Sequence, residues 1–539
     1  MNADWSRRRF LRTLCALPLL PGCERLARRD LPVSVLWAGM EAGHALRDGA
    51  PLPQPRETLE TGVLILGSGV AGSACAWKLA REGRRDFILL AGPEAGGNAA
   101  AGEFGELRFP RGAHYLPLPS LESAHVRELL ADMGVLQAGV GDLRPWYDEA
   151  CVVHAPAERL LIDGRWQEDL LPHAPAGSDE ARDQARFLQC MEQFKQAQGS
   201  DGRRAFAVPL ALSSTDADLR GLDQLSFAAW LDRENFRAPS LRWYLDYACR
   251  DDYGAPAAGV SAWAGIAYFA GRAGQAADAQ PGAVLTWPDG LNPLLRHMHE
   301  VGVGAAGGRW LAGHALRAVE RGNRMEVLCA DGQGGAFLVR ARRVVCAMPL
   351  MVATRVLPDM AALGFDPARD LPQYAPWLVA NFLLEGFPAE MPGAELAWDN
   401  VIYGGQGLGY VVSTHQQLRV ARPPQTVFTA YVALSDQAPA AVRRRLLSLD
   451  AQQLLDEVLC DLRLAYTPIA LWRHVRAVEI TVRGHAMPIP LPGFLSNPGR
   501  LALRAADGRL LFAHGDLSCL SVFEEAAWWG YRAALKLLA

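Results

Sequence analysis

The sequence predicts an α/β fold: a parallel-sheet domain assembled from separated stretches, with a mixed α+β domain inserted between them. Three observations predict it: a strand–turn–helix–strand pattern at residues 62–97, apolar β-branched runs between 315 and 349, and a closing strand and helix after 509. The first begins with the apolar run Val63–Leu66, which meets Gly67-Ser68-Gly69-Val70-Ala71-Gly72. An Ala-rich helical pattern continues to Gly83, and a second apolar run, Phe87–Leu90, leads to Gly96-Gly97. Each glycine of the turn has a physical task. Gly67 makes the tight turn, Gly69 lets backbone amides approach a pyrophosphate, and Gly72 lets the helix pack on the strand. The helix N-terminus adds partial positive charge for the phosphates. This is a Rossmann-type dinucleotide-binding unit.

With its Gly-Gly pair the segment resembles the flavin amine oxidase family, whose relatives include protoporphyrinogen oxidase and phytoene desaturase. The resemblance implies a discontinuous FAD-binding domain. It also implies unlinked FAD, because no cysteine sits where the monoamine oxidases attach flavin covalently. Gly67, Ser68, Gly69, Val70, Ala71, Gly72, Gly96 and Gly97 would then contact the cofactor. The chain departs from the family at two points. Leu90 stands where the family has the Glu that binds the adenosine ribose, and Asn98 where it has Arg after the Gly pair. Glu94 or backbone groups are the replacements expected at the ribose. Arg111-Gly112-Ala113-His114-Tyr115 resembles the family segment that runs beside the isoalloxazine ring. Gly112 and Ala113 are therefore expected at the cofactor, with His114 and Tyr115 as candidates beside the substrate.

Three later segments follow the same resemblance. Val284-Leu-Thr-Trp-Pro-Asp-Gly290 is similar to the family's W-P-x-G loop, and Arg343-Val-Val-Cys-Ala-Met-Pro349 to its V-V-x-A-x-P strand. Arg509–Asp516 reads as a strand delivering an acid to a turn, and Glu524–Ala534 as a helix. These resemble the family's closing motif, which puts Gly515, Asp516 and Glu525 at the flavin ribityl and phosphate region.

The amino end carries a different signal. Ser6-Arg7-Arg8-Arg9-Phe10-Leu11-Arg12 matches the twin-arginine export pattern, and the apolar stretch Leu14–Pro21 is too short to span a bilayer. Leu20-Pro21-Gly22-Cys23 resembles a lipobox, which makes Cys23 a candidate for lipid attachment. The expectation is a periplasmic protein, or one anchored on the periplasmic side, carried by the twin-arginine translocase. That route moves folded proteins and so suits a protein that loads FAD before export.

Composition is that of a globular enzyme: 539 residues, half of them hydrophobic and 21% charged, with net charge −4. Basic residues do not cluster beyond the leader, so nucleic acid is excluded as a partner. The ten cysteines show no metal-type spacing, and no metal is expected. The domain plan is a leader at 1–23, a Pro- and Arg-rich linker at 24–58, and an FAD domain at 59–150, 282–352 and 484–539. The substrate domain would be 151–281, largely helical, and 353–483, with strands at Leu378–Leu384 and Thr426–Ala433 and a helix near Ala451–Leu464.

The chemistry would be the flavin's: FAD accepts a hydride at N5 while the protein binds, orients and tunes. The lysine with which many family members hold a water near N5 has no counterpart, since only Lys78, Lys195 and Lys536 occur. Aromatic candidates for the substrate wall, besides His114 and Tyr115, are Trp398, Tyr403, Tyr410, His485 and Trp528. In Arg250-Asp-Asp252-Tyr253-Gly254, Asp252 and Tyr253 are acid–base candidates; the alternative is a helix end with a structural ion pair. The expected function is oxidation of an amine C–N or a C–C bond of a small molecule, with oxygen or a membrane quinone as acceptor. Two alternatives remain: a desaturase or isomerase of an apolar isoprenoid or lipid, and a non-catalytic flavin-binding assembly factor. An apolar tunnel would favour the first alternative, and an acid-lined aromatic pocket would favour an amine.

Overall fold

The computed structural model describes residues 31–304, 307–417 and 419–539. The leader motif Ser6–Arg12 and Cys23 lie outside the described residues. Two sheets organise the chain. In the first, Thr58–Leu66 runs parallel to Phe87–Leu90 on one side and to Ala336–Cys346 on the other. Arg309–Leu311 extends it past Phe87–Leu90. The antiparallel pair His314–Arg321 and Arg324–Ala330 joins the first half of Ala336–Cys346. The closing strand Leu510–Phe512 lies parallel to its second half, with Leu510 opposite Val344. The central strands are buried on both faces, which is why they read as continuous apolar runs. Helix Val70–Arg81 crosses between the first two strands, and helix Phe523–Leu538 lies against it. A Cβ on Gly530 would come within 1.9 Å of the Ala71 carbonyl oxygen, so only glycine permits this approach.

The second sheet has eight strands in the order Val33–Trp37, Val475–Pro488, Tyr374–Glu385, Gln425–Ala433, Tyr410–Val412, Asp399–Ile402, Glu158–Ile162 and Arg165–Glu168. Side chains alternate across it as the pleat requires. Trp377 and Val379 share a core with helices Asp179–Gln196, Phe227–Arg233, Pro239–Tyr253 and Ala262–Ala270. Leu378, Ala380 and Phe382 share the opposite core with helix Ala451–Val458. The strands expected in 353–483 are present with slightly different bounds, while the helix expected near Ala451–Leu464 is split into Ala451–Val458 and Leu462–Ala465.

Three expectations need correction. Residues 24–58 are not simply a linker: Val33–Trp37 pairs parallel with Val475–Pro488, and helix Met40–Arg47 follows. Proline- and arginine-rich flanks hid the short alternation of Val33, Val35 and Trp37. The largely helical first insertion also supplies the edge hairpin Glu158–Ile162 and Arg165–Glu168, masked in sequence by its charged residues. Finally, Val475–Pro488 is one continuous strand, so the domain boundary expected at 484 falls inside an element. No described helix is long and apolar enough to cross a membrane.

Candidate functional site

The dinucleotide turn has the geometry its glycines dictate. Gly67 takes φ +107°, and a Cβ on Gly72 would lie 1.8 Å from the Gly67 carbonyl oxygen. Gly69 differs: a Cβ there would meet nothing nearer than the Gly96 carbonyl oxygen at 4.0 Å. It borders open space at the start of helix Val70–Arg81, which no side chain caps. The Ser68 hydroxyl turns inward and donates to the Ala91 carbonyl at 2.6 Å. Uncapped first-turn amides beside an open glycine suit a diphosphate.

The Gly96–Gly97 turn, with φ +88° and +55°, is fixed from afar. Arg483, on strand Val475–Pro488, donates to both Glu94 carboxylate oxygens at 2.9 and 3.0 Å, to the Gly97 carbonyl and to the Asn98 side-chain oxygen. Its Nε donates to the Arg111 carbonyl. Glu94, expected at the ribose, therefore has both oxygens engaged by Arg483. The buried Leu90 carries no acid to the ribose either.

The closing motif also departs from expectation. Asp516 follows strand Leu510–Phe512 as foreseen, but it is buried and accepts from the Leu350 amide at 2.8 Å and the Tyr374 hydroxyl at 2.6 Å. Glu525 is buried too; it accepts from the Leu210 amide and from the Ser518 hydroxyl. Both acids tie the closing segment to neighbouring elements, and burial alone pushes Glu525 above the usual carboxylate range. Gly515 is buried in the turn between them and the strand.

A cavity of about 120 Å³ opens between the two sheets. Gly112, Ala113, His114 and Tyr115 line one side, Trp377, Tyr431 and Arg483 another, Asp251, Asp252 and Arg272 a third, and Ser521–Glu524 the fourth. The Thr286 hydroxyl donates to the His114 carbonyl and the Tyr431 hydroxyl to the Gly112 carbonyl, which fixes the Gly112–His114 segment in place. The His114 ring stacks on Tyr431 at 4.4 Å and lies 5.5 Å from Trp398, whose ring stands edge-on to Tyr115. Burial holds His114 neutral, with its pKa down at about 3.

Charge is concentrated here. Arg272 pairs with Asp252, donates to the Tyr115 hydroxyl at 3.0 Å and lies over the Tyr268 ring. The Tyr115 hydroxyl donates to Asp251 at 3.3 Å. Burial, reinforced by the neighbouring Asp252, pushes Asp251 up to about 7. Asp399 stands beside Glu158 across two parallel strands. Burial and repulsion from Asp251 and from the exposed Glu158 raise Asp399, which stands behind the lining residues. Glu524, only 5% exposed, reaches about 7 by burial, and its Oε2 has no hydrogen-bond partner. Three carboxyls, Asp251, Asp252 and Glu524, face two cations, Arg272 and Arg483, of which Arg483 is engaged by Glu94, and aromatic rings make up much of the wall.

Of the four expected catalytic candidates, the structure brings His114, Tyr115 and Asp252 together. Tyr253 is excluded: it points the other way along its helix, and its hydroxyl donates to the Ala264 carbonyl in the helical core. Tyr410 likewise belongs to the opposite core, bonded to Tyr466. Sequence reasoning missed Arg272, Tyr431 and the free carboxyl of Glu524. Only Asp251, adjacent to Asp252, carried a local signal.

Residues 65–133 match the family model of an NAD(P)-binding Rossmann-like domain. Nothing among the curated proteins matches the chain by sequence. Putrescine oxidase bound to putrescine superposes with a TM-score of 0.58 at 15% identity, over 89% of this chain and 99% of that one. Cyclohexylamine oxidase from Brevibacterium oxydans IH-35A does so with 0.59 at 16% identity, over 88% and 98%. The chain has the amine oxidase fold. The same architecture also serves a CLA-producing fatty acid isomerase from P. acnes, with TM-score 0.59 and 14% identity over 89% and 99%. At these identities the amine oxidase likeness is one of architecture, and function must be argued from the site.

Proposed function

We propose that the protein is an FAD-dependent oxidoreductase that oxidises an amine. The observation that carries this reading is the cavity between the sheets, walled by His114, Tyr115, Trp377 and Tyr431, backed by Trp398, and supplied with more carboxyls than cations. Such a chamber attracts and holds an organic cation and is a poor host for an acyl or isoprenoid chain. The residues present fit the cofactor at two places. The open Gly69 and the uncapped helix start suit its diphosphate, and the Gly112–His114 segment and the Ser521–Glu524 turn border the space at its ring end. The ribose end has no acid, so hold on the adenosine falls to backbone groups near Leu90–Gly92.

When bound, FAD supplies a hydride acceptor. The chain's own residues do the rest. The aromatic walls exclude water, Arg272 neutralises Asp252, and Asp251 and Glu524 offer negative charge to the incoming cation. Oxygen or a membrane quinone is the proposed final acceptor. Export by the twin-arginine route, with Cys23 as a lipid attachment point, completes the reading; its support is the leader motif Ser6–Arg12.

The test is optical. The purified protein is expected to show an oxidised flavin spectrum and to release FAD on mild denaturation. Anaerobic addition of putrescine, cyclohexylamine or benzylamine should then bleach the band with at least one of them. A colourless protein that cannot be reconstituted with FAD would sink the proposal.

A further inference from the structure

Among the described residues, the carboxyls around the cavity and the closing motif differ in one respect: how much of their bonding capacity is already used. Asp252 is taken by Arg272, Asp251 accepts from Tyr115, Asp516 is bonded to Leu350 and Tyr374, and Glu525 to Leu210 and Ser518. Glu524 is the exception. It stands on the first turn of helix Phe523–Leu538, lines the cavity opposite Tyr115 and Arg272, and keeps Oε2 buried with no partner. The one contact at this residue that fixes it from outside the helix is through the backbone, where its carbonyl accepts from His125 Nε2 at 2.8 Å. A buried acceptor left unsatisfied costs about 1–3 kcal/mol, so it is a group awaiting a donor.

Resting on the amine reading above, we propose that Glu524 takes the proton that an alkylammonium substrate gives up inside the cavity, leaving the amine neutral for oxidation. The step balances without any further reagent. One N–H bond of R–NH3+ breaks, an O–H bond forms on the Glu524 carboxylate, and the nitrogen keeps the electron pair. Nothing is oxidised or reduced, and two opposite charges vanish together. In a desolvated chamber that cancellation is favourable, because each buried ion otherwise bears a heavy solvation penalty. The groups facing Glu524 suit the role: burial raises it, Asp252 and Glu525 raise it further, and its own backbone amide and Arg272 oppose them. Another lining carboxyl, Asp251, is also raised to about 7, but it already accepts from the Tyr115 hydroxyl. Burial keeps His114 a very weak base, and Lys78 is held by Glu82 and Glu128.

Titration calorimetry of the FAD-loaded protein with n-butylammonium tests this, run in two buffers of different ionisation enthalpy so that protons exchanged are counted. In the wild type the proton stays in the complex. Binding between about pH 8 and pH 10, where Glu524 has lost its own proton and the free amine has not, should release none to the buffer, and affinity should be flat across that window. Glu524→Gln should bind only the free amine. It should release about one proton per event and lose up to about a thousandfold in affinity at pH 7, regaining about tenfold per pH unit until the amine titrates near 10.4. Glu524→Asp should restore proton retention. Equal affinity and equal proton counts in wild type and Glu524→Gln overturn the proposal while leaving the amine reading intact. A wild type that binds no n-butylammonium yet is bleached by no other amine overturns both.

Discussion

At the scale of single residues, two glycines in one motif have opposite expected behaviour. Gly72→Ala forces a Cβ into the Gly67 carbonyl 1.8 Å away, and should cost about 1–3 kcal/mol of stability whether or not FAD is present. Gly69→Ala meets only open space, so the FAD-free protein should melt at the wild-type temperature. Its FAD affinity should nevertheless fall by about tenfold or more, because the added methyl occupies the approach to the diphosphate. Thermal melts with and without FAD separate the two; equal losses for both variants in the FAD-free protein would contradict the assignment. These glycines were legible in sequence because their constraint is local backbone geometry. Arg272 and Glu524 were not, since each draws its meaning from partners that the chain supplies far away.

At the scale of elements, the turn after Phe87–Leu90 and the strand Val475–Pro488 are joined by Glu94 and Arg483, whose side chains are 19% and 7% exposed. The family's turn carries its own arginine; here the guanidinium arrives from nearly 390 residues downstream and uses every N–H it has. Arg483→Met leaves a mostly buried carboxylate unpaired and should cost about 2–4 kcal/mol, discounted for the partial exposure of Glu94. Glu94→Gln combined with Arg483→Met should cost clearly less than the sum of the two singles in chemical denaturation. Additive losses would mean that the pair does not act as a unit. The sequence offered Glu94, with backbone groups as the alternative, for the ribose, because nothing in residues 90–98 announces an arginine from another sheet. The long apolar strands fared better: both faces are covered, so their pattern survives without knowledge of the partner.

At the scale of the molecule, the acids in the cavity make the fold's stability depend on pH in an unusual direction. Glu524 and Asp251 have folded-state pKa values raised to about 7, against about 4 in an unfolded chain. The folded state therefore binds more protons between those values, and their contribution is favourable below pH 4 and is lost as pH rises to 7. The buried His114, held neutral, acts oppositely: its contribution is full above pH 6.5 and is lost as pH falls towards 3. The net curve mixes the two, so the informative quantity is a difference. Glu524→Gln, without FAD or amine, should gain melting temperature over the wild type as pH rises from 5 to 8. A constant offset would mean that Glu524 is not buried as described.

The strand Val33–Trp37 has a kinetic meaning as well. It caps the rim of a fourteen-residue strand, Val475–Pro488, that is synthesised more than 400 residues later. Until the ribosome has made nearly the whole chain, the early strand has no mate. If it is cut away, the late strand shows a row of unpaired amides and carbonyls to any similar neighbour. The strand Val33–Trp37 thus serves as a guard against edge-to-edge association, a task that arises only once the late strand has been made.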